Sequence, residues 1–305
     1  MDPAWKRYFD PPTLAELAGV GLRRSQLYDG GTLAGLHRSS RHGHSVEFAE
    51  HRPYTPGDDL RSVDWKIYGR TDRYFLRNRE DETTLVCHLL LDATASMDFD
   101  GVASPDTRPG SSAEKFLYAA RVTASIGFVT LETQDQCSLT ILGGHGPDVP
   151  LGGGQPQLQA LAQALAQSQP AGDQAISERV ADALPRLQRE GIVVLVSDFW
   201  DEAERLDSAV RLVRAAGHDV LLVRVLHEEE RSFPLGGMTR FEGLEGEPAV
   251  ELQADAYREL YRQALVESEQ QLERLSRHSG AHYLSMSTAE PLGKTLAAAL
   301  HRFYG

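Results

Sequence analysis

Residues 84–97 read TLVCHLLLDATASM, an apolar run that ends in Asp92 and a turn rich in hydroxyl groups. A second apolar run, GIVVLVSDFW at residues 191–200, ends in another aspartate, Asp198, and segments with a helical pattern separate the two runs. Two such runs with helices around them are typical of a parallel, doubly wound α/β sheet. Residues just past the carboxyl ends of the strands line the ligand crevice of such a sheet, so we expect both aspartates to reach that crevice.

The remaining patterns predict one α/β domain at residues 83–305, with about six strands and helices between most of them. Residues 1–82 are predicted to form a separate irregular and helical segment that packs on the sheet, in which Thr13 caps a short helix. Apolar periodicity predicts helices at residues 114–133, 156–168, 176–190 and 255–279. Further strands are expected at residues 137–142, 218–226 and 281–286, and a hairpin at residues 239–252.

The composition is that of an ordinary globular protein, with 305 residues of which 41% are hydrophobic and 25% charged. The formal net charge is −13, and the excess of acid lies entirely in residues 83–305, which argues against nucleic acid and favours a cationic protein surface as partner. The longest apolar runs are too short to cross a bilayer and the first ten residues are no signal peptide, so we expect no membrane insertion and a cytoplasmic location. Cys87 and Cys137 lie in predicted strands and are interpreted as buried free thiols.

Residues 41–79 are dense in Arg, Asp, Trp and Tyr, and contain a Pro-Gly-Asp turn before a predicted helix start. Their charged side chains are numerous enough to pair with one another and hold an irregular segment against the sheet. A ligand site is the alternative interpretation. The residues that we assign to this structural motif are Arg52, Tyr54, Gly57, Asp58, Asp59, Arg61, Asp64 and Trp65.

In residues 92–96, DATAS, a carboxylate and two hydroxyl groups alternate with alanines. An extended backbone aims Asp92, Thr94 and Ser96 the same way, and three oxygen donors on one side form half the shell of a hard cation such as Mg²⁺. Asp198 would supply a fourth oxygen if its strand lies beside the first. The alternative is that Asp92, which we expect to face solvent, accepts hydrogen bonds from the backbone N–H groups of the turn.

Three stretches carry a resemblance to a bacterial protein family: EFAEHRPYTPGDDLRSVDWKIYGRTDRYFLR at residues 47–77, DATASM at 92–97 and VSDF at 196–199. Together they resemble the family called domain of unknown function 58 (DUF58), from about residue 41 to the C-terminus. DATAS also looks like the D-x-S-x-S signature of von Willebrand factor A domains, whose metal-ion-dependent adhesion site binds a divalent cation and an acidic side chain of a partner. The resemblance implies an α/β fold of that kind and an association with MoxR-type AAA+ ATPases, in systems thought to assemble complexes or act as chaperones.

Residue by residue, the resemblance implies that Mg²⁺ or Mn²⁺ is bound by Asp92, Thr94, Ser96 and Asp198. Contacts with a partner protein are predicted at Asp92, Ser96, Asp198 and Asp201. Thr94 replaces a serine of the signature and keeps its hydroxyl group. In the loop that usually supplies a threonine ligand, residues 171–175 read AGDQA, so either Asp173 or Gln174 supplies the oxygen or the site is degenerate.

The predicted function is a non-enzymatic protein-interaction module, a partner or adaptor of a MoxR-type AAA+ ATPase that also binds an unknown protein client, with the divalent-metal site as one route of contact. One alternative is a metal-dependent phosphoester hydrolase that uses the clustered aspartates Asp92, Asp98, Asp100 and Asp198. Against it, the turn lacks a second aspartate, and no G-x-S-x-G motif gives Ser96 a context for acyl transfer. A third hypothesis is a scaffold whose acidic face at residues 198–207 meets a basic ATPase surface without metal.

Overall fold

The structure is a computed structural model that describes residues 3–22, 48–54, 65–79, 84–101, 114–187, 190–244 and 248–304. Its contacts divide the chain into two compact units. The α/β unit comprises Met1–Tyr28 and Leu85–Gly305, and the small unit comprises Asp29–Thr84.

Helices and strands alternate along most of the chain. It begins with helices α1 (Pro3–Tyr8) and α2 (Pro11–Leu17), followed in the small unit by strand β1 (Phe48–Pro53), helix α3 (Trp65–Thr71) and strand β2 (Phe75–Arg79). The main sheet starts with β3 (Val86–Asp92), followed by α4 (Glu114–Glu132), β4 (Gln136–Leu142), β5 (Val149–Gly153), α5 (Gly154–Gln167), α6 (Ile176–Ala183), β6 (Ile192–Ser197), α7 (Ala203–Ala215) and β7 (Asp219–Leu226). The last part contains α8 (Glu228–Ser232), β8 (Met238–Phe241), β9 (Val250–Gln253), α9 (Ala254–Ser279), β10 (His282–Ser287) and α10 (Leu292–Tyr304).

The central sheet has six strands in the order β10-β7-β6-β3-β4-β5. Its neighbours pair in parallel, except that β5 is an antiparallel edge strand. The two aspartate strands are neighbours, because β3 and β6 pair directly with Leu90 opposite Leu195, which is the condition under which Asp198 would lie near Asp92. The hairpin predicted at residues 239–252 is formed by β8 and β9, which pair with each other outside the central sheet.

Both faces of the sheet are covered, which is why its inner strands are apolar at almost every position. Leu89 and Leu91 point to one face, where they pack with α1, α2, α4, α5 and α10. Leu90 points to the opposite face, which is covered by α6, α7 and α9. Cys87 lies opposite Cys137 across β3 and β4, and both are buried free thiols as predicted.

The first two helices belong to the α/β unit. The prediction instead places them with the rest of residues 1–82 in a separate segment. Phe9 and Leu17 are buried in the cluster that covers one face of the sheet. The predicted N-cap at Thr13 is wrong, because α2 begins at Pro11 and the Asp10 carboxylate accepts the N–H of Thr13 at 3.2 Å. Prolines in the first turn have no N–H, so the cap reaches the first residue that can donate.

In the small unit, Arg52 lies in β1, which pairs antiparallel with β2. The ring centroids of Tyr54 and Tyr74 are 6.1 Å apart, and those of Tyr68 and Tyr74 are 4.5 Å apart. Trp65 contacts Tyr68 edge to face. Two residues of the predicted structural motif, Tyr54 and Trp65, therefore belong to one aromatic cluster. The pairing of the motif's charges stays a prediction, since these members lie outside the described residues: Gly57, Asp58, Asp59, Arg61 and Asp64.

None of the helices in the described part of the chain combines the length and the apolar composition needed to cross a bilayer.

Candidate functional site

Asp92 and Asp198 meet at the carboxyl edge of the sheet. Asp92 is the last residue of β3, and Asp198 follows the last residue of β6. The two strands are neighbours and run in the same direction, so their ends reach the same point. The expectation that Asp92 faces solvent is wrong, because both carboxylates are only 1% exposed.

Both oxygens of the Asp92 carboxylate accept hydrogen bonds from nearby residues. One oxygen accepts the N–H of Thr94 at 2.8 Å, and the other accepts the hydroxyl of Ser197 at 2.6 Å. The Ser197 oxygen in turn accepts the N–H of Phe199 at 2.9 Å. Burial, followed by the negative charge of Asp198, raises the pKa of Asp92 to about 7. Asp92 thus accepts one backbone N–H of the turn, as the alternative interpretation predicts, and its second oxygen accepts a serine hydroxyl instead.

The two predicted hydroxyl ligands lie side by side. The hydroxyl oxygens of Thr94 and Ser96 are 3.0 Å apart and bond to each other. Residues Ala95–Met97 form a short 3-10 turn, and Thr94 precedes it in an extended conformation. The hydroxyl groups of Thr94 and Ser96 thus lie together, although the backbone from Ala95 to Met97 is helical and not extended as the spacing argument assumes.

Lys115 is the residue at this site that the sequence analysis missed. Its ammonium nitrogen lies 2.7 Å from a carboxylate oxygen of Asp198 and 2.8 Å from one of Glu230. A third contact, at 3.2 Å, reaches the carbonyl oxygen of Ser96. Burial lowers the pKa of Lys115, but the charges of Asp198 and Glu230 together outweigh it and the net shift is upward. The buried lysine therefore carries a positive charge.

Glu230 reaches the site from α8, which begins with the acidic stretch Glu228-Glu229-Glu230. The oxygen of Glu230 that does not contact Lys115 accepts the N–H of His227 at 2.7 Å. This bond is half of a capping box, in which the His227 ring also accepts a backbone N–H of α8. The carboxylate is thus fixed by its own helix before it meets the lysine.

Arg224 supports the segment that carries Asp198. It is fully buried in β7, and its Nε donates to the carbonyl oxygen of Asp198 at 3.0 Å. A second guanidinium nitrogen donates to Glu269 at 3.1 Å, and the guanidinium lies 5.1 Å from the ring centroid of Trp200. Trp200 is 45% exposed, so the arginine holds an exposed indole ring beside the site.

A cavity of about 390 Å³ opens above these groups. Its floor is polar and consists of Ser96, Lys115, Asp198 and Glu230. Its rim is formed by the hairpin and the segment after β6, and it is apolar except for Glu242, which pairs with Arg240. The apolar side chains of the rim are those of Trp200, Phe241, Leu244, Pro248 and Val250. The site is therefore a concave surface with fixed charges at the bottom and hydrophobic groups around the opening.

Two other parts of the predicted site, Asp201 and the 171–175 loop, lie close by and make contacts within the protein. The Asp201 carboxylate accepts the N–H of Ser177 at 2.9 Å, and so caps the first turn of α6. The 171–175 loop reaches the aspartate turn through its backbone, since the N–H of Ala95 donates to the carbonyl oxygen of Gly172 at 2.9 Å. The side-chain amide of Gln174 donates to Glu178 at 3.2 Å. Partner binding by Asp201 stays a prediction.

Gly144 allows the chain to pass close to the aspartate turn. Its φ is +54°, and a Cβ there would overlap the carbonyl oxygens of Gln169 and Ala93. We expect Gly144→Ala to lower the free energy of unfolding by about 2–4 kcal/mol, because it adds backbone strain and a steric clash. Urea denaturation measures this loss.

The control is Gly172→Ala, where φ is +86° and nothing lies near the added methyl group. That variant should lose only about 1 kcal/mol, from strain alone. Equal losses in the two variants would show that the close approach at Gly144 contributes nothing.

The side chains at the aspartate turn are not arranged to bind a divalent cation. Mg²⁺ requires near-octahedral oxygen ligands at about 2.0–2.1 Å, whereas an ammonium group lies against the carboxylate of Asp198. Among the residues that the structure describes, no three His, Cys, Asp or Glu side chains are arranged to hold a metal ion. Asp100, a member of the predicted aspartate cluster, accepts the N–H of Glu114 at the start of α4.

The mostly parallel sheet, its helices on both faces and the aspartate turn after a central strand define a doubly wound α/β domain, as predicted. The chain belongs to the family described as protein of unknown function DUF58, whose sequence profile matches residues 50–271. The family resemblance of the three stretches is thereby confirmed.

Uncharacterized proteins of Mycobacterium bovis and Mycobacterium tuberculosis are each 29% identical to this chain over 284 residues, or 92% of this chain and 86% of the relative. Among solved structures, BatB from Bacteroides thetaiotaomicron is similar with a TM-score of 0.45 and 14% identity, over 72% of this chain and 98% of that chain. The SpRpn10 VWA domain gives a TM-score of 0.35 and 12% identity over 70% and 94% of the two chains. Manganese-loaded TRAP from Plasmodium vivax gives 0.32 and 15% over 46% and 57%. At these low scores, no ligand or partner of those proteins is assigned to this chain.

Proposed function

We propose that this chain is a non-enzymatic protein-interaction module, an adaptor between a MoxR-type AAA+ ATPase and a protein client. The observation that carries the binding role is the make-up of the cavity, in which an apolar rim surrounds charges that are already paired. A few aromatic side chains contribute most of the binding energy when a partner covers them, and the apolar groups around them exclude water. Paired charges at the floor orient a partner and do not react with it.

The phosphoester hydrolase has less support. That chemistry requires aspartates that share a metal ion. Here Asp198 accepts a hydrogen bond from Lys115, and Asp100 accepts one from the backbone at the start of α4. Each carboxylate has a partner within the protein, which favours a structural role for both.

The choice of an ATPase partner rests on the family resemblance and on charge. The acidic excess of residues 83–305 favours a cationic partner surface. On α7, however, Glu202 pairs with Arg205 at 2.8 Å. Asp207 likewise pairs with Arg211 at 2.7 Å. The predicted acidic face is thus partly neutralised, so we propose the apolar rim as the centre of the contact and the surrounding acids as its edge.

Leu244→Arg should weaken binding of the purified MoxR-type ATPase from the same organism at least about tenfold, because it places a charge in the apolar rim. The melting temperature should not change, since this side chain is exposed. Biolayer interferometry with the full chain immobilised measures the affinity.

The matched control is Leu212→Arg, on α7 and away from the cavity. The two leucines are similarly exposed, 46% for Leu244 and 53% for Leu212. The control should bind as the wild type does. Equal binding by both variants, or no binding of the ATPase to the wild type, would contradict the proposed function.

A further inference from the structure

The site at the end of β3 and β6 already contains a cation that belongs to the protein. The Lys115 ammonium has three hydrogens to donate. They are matched by three acceptors, on Asp198 at 2.7 Å, on Glu230 at 2.8 Å and on the Ser96 carbonyl at 3.2 Å. All three donors of a lysine that is only 1% exposed are therefore satisfied within the protein.

Lys115 is held at this position by the start of α4. The N–H of Lys115 donates to the carbonyl oxygen of Phe99 at 3.2 Å, and the N–H of Glu114 donates to Asp100 at 2.6 Å. The lysine also lies on the buried stripe of the helix, in register with Tyr118 and with residues further along α4. The stem of the side chain is therefore packed and points its charge into the site.

The oxygen atoms of the carboxylates around Lys115 also accept hydrogen bonds from the protein. Asp198 uses its second oxygen to accept the N–H of Trp200 at 3.3 Å, and Glu230 uses its second oxygen to accept the N–H of His227 at 2.7 Å. Both oxygens of Asp92 accept hydrogen bonds from the protein. A divalent ion would have to displace a fully bonded ammonium and then find about six oxygen ligands.

We propose that Lys115 is the resident cation of this site, and that its ammonium takes the place of the divalent metal that the sequence predicts. The carboxylates of Asp198 and Glu230 share one positive charge, which belongs to a group that cannot dissociate. If the cavity binds a partner as proposed above, that contact is independent of the supply of metal ions.

The test is a titration of the full chain with Mn²⁺, followed by the electron paramagnetic resonance signal of the free ion. Wild-type protein should bind Mn²⁺ no more tightly than about 1 mM, the weak end of oxygen-ligand sites. Lys115→Met should bind it at least about tenfold more tightly, because two carboxylates lose their internal cation. Adding Asp198→Asn to that variant should return the affinity to the wild-type level.

A stoichiometric Mn²⁺ site in the wild type that is lost with Asp198→Asn would overturn the proposal, and so would a folded Lys115→Met protein with no gain in affinity. If Lys115→Met does not fold, the wild-type titration decides alone: a site that depends on Asp198 overturns the proposal, and its absence supports it. The titration needs no partner protein, so its result is independent of the proposed function.

Discussion

Lys115→Met should lower the free energy of unfolding by about 3–5 kcal/mol, because it leaves two carboxylates close together without their shared counterion. The Asp198 carboxylate is buried and that of Glu230 is largely buried, so solvent screens little of the penalty. Methionine keeps most of the volume of the side chain, so the loss reports on charge and not on a cavity. The free energy of unfolding of a native protein is about 5–15 kcal/mol, so the variant should remain folded at room temperature. Urea denaturation at neutral pH measures the change.

The matched control is Lys294→Met in α10, where the lysine is exposed. It should change the stability by less than about 0.5 kcal/mol. Adding Glu230→Gln to Lys115→Met should recover part of the loss, since one of the two unbalanced charges is then removed. Similar stability for Lys115→Met and Lys294→Met would show that the buried charges need no counterion.

The fold follows from local patterns and one topological rule. The runs that end at Asp92 and Asp198 are too apolar for a half-exposed strand, so both had to be buried between helices. Parallel strands end at the same edge of a sheet, which is why both aspartates were expected at the crevice, whereas the direct pairing of β3 with β6 was only a condition of the predicted site. These predictions depend on residues close together in the sequence.

The burial of Asp92 could not be predicted in the same way, because distant segments produce it. The N–H of Ala171 donates to the carbonyl oxygen of Ala93 at 2.8 Å, and that of Gly144 donates to the carbonyl oxygen of Ala171 at 2.8 Å. These backbone bonds tie two loops over the end of β3. Backbone groups look alike at every residue, so the loops signal the contact only weakly, through Gly144, which an ordinary turn would also explain.

The sequence contains a weak signal that Lys115 is buried. It lies on the same helical stripe as Tyr118, Ala119 and Val122, so a charged residue interrupts an otherwise buried face. The chain contains only four lysines, and its other basic residues are arginines. What cannot be read from the sequence is the counterion, because Glu230 is 115 positions away and belongs to a helix of only five residues.

The stability of the wild type should fall relative to Asp92→Asn as the pH rises from about 4 to about 7. Burial, and then the negative charge of Asp198, raises the pKa of Asp92 from 3.8 to about 7 in the folded protein. Between these values the unfolded chain has released the proton and the folded protein has kept it, so folding becomes less favourable with each step in pH. The contribution of the neutral carboxyl group is complete below pH 3.8 and is lost as the pH passes about 7.

Asparagine is neutral throughout this range, and its side chain can still accept the N–H of Thr94. The difference in unfolding free energy between Asp92→Asn and the wild type should therefore grow by up to about 4 kcal/mol across the range. Urea denaturation of both proteins at intervals of pH gives this difference, and the effects of all other titrating groups cancel in it. The ¹³C shift of the Asp92 carboxyl carbon supplies a direct check, since it should titrate near pH 7. A constant difference, with a carboxyl group that titrates near its ordinary value, would mean that Asp92 is ionised throughout and that the hydrogen bonds from Thr94 and Ser197 offset its burial.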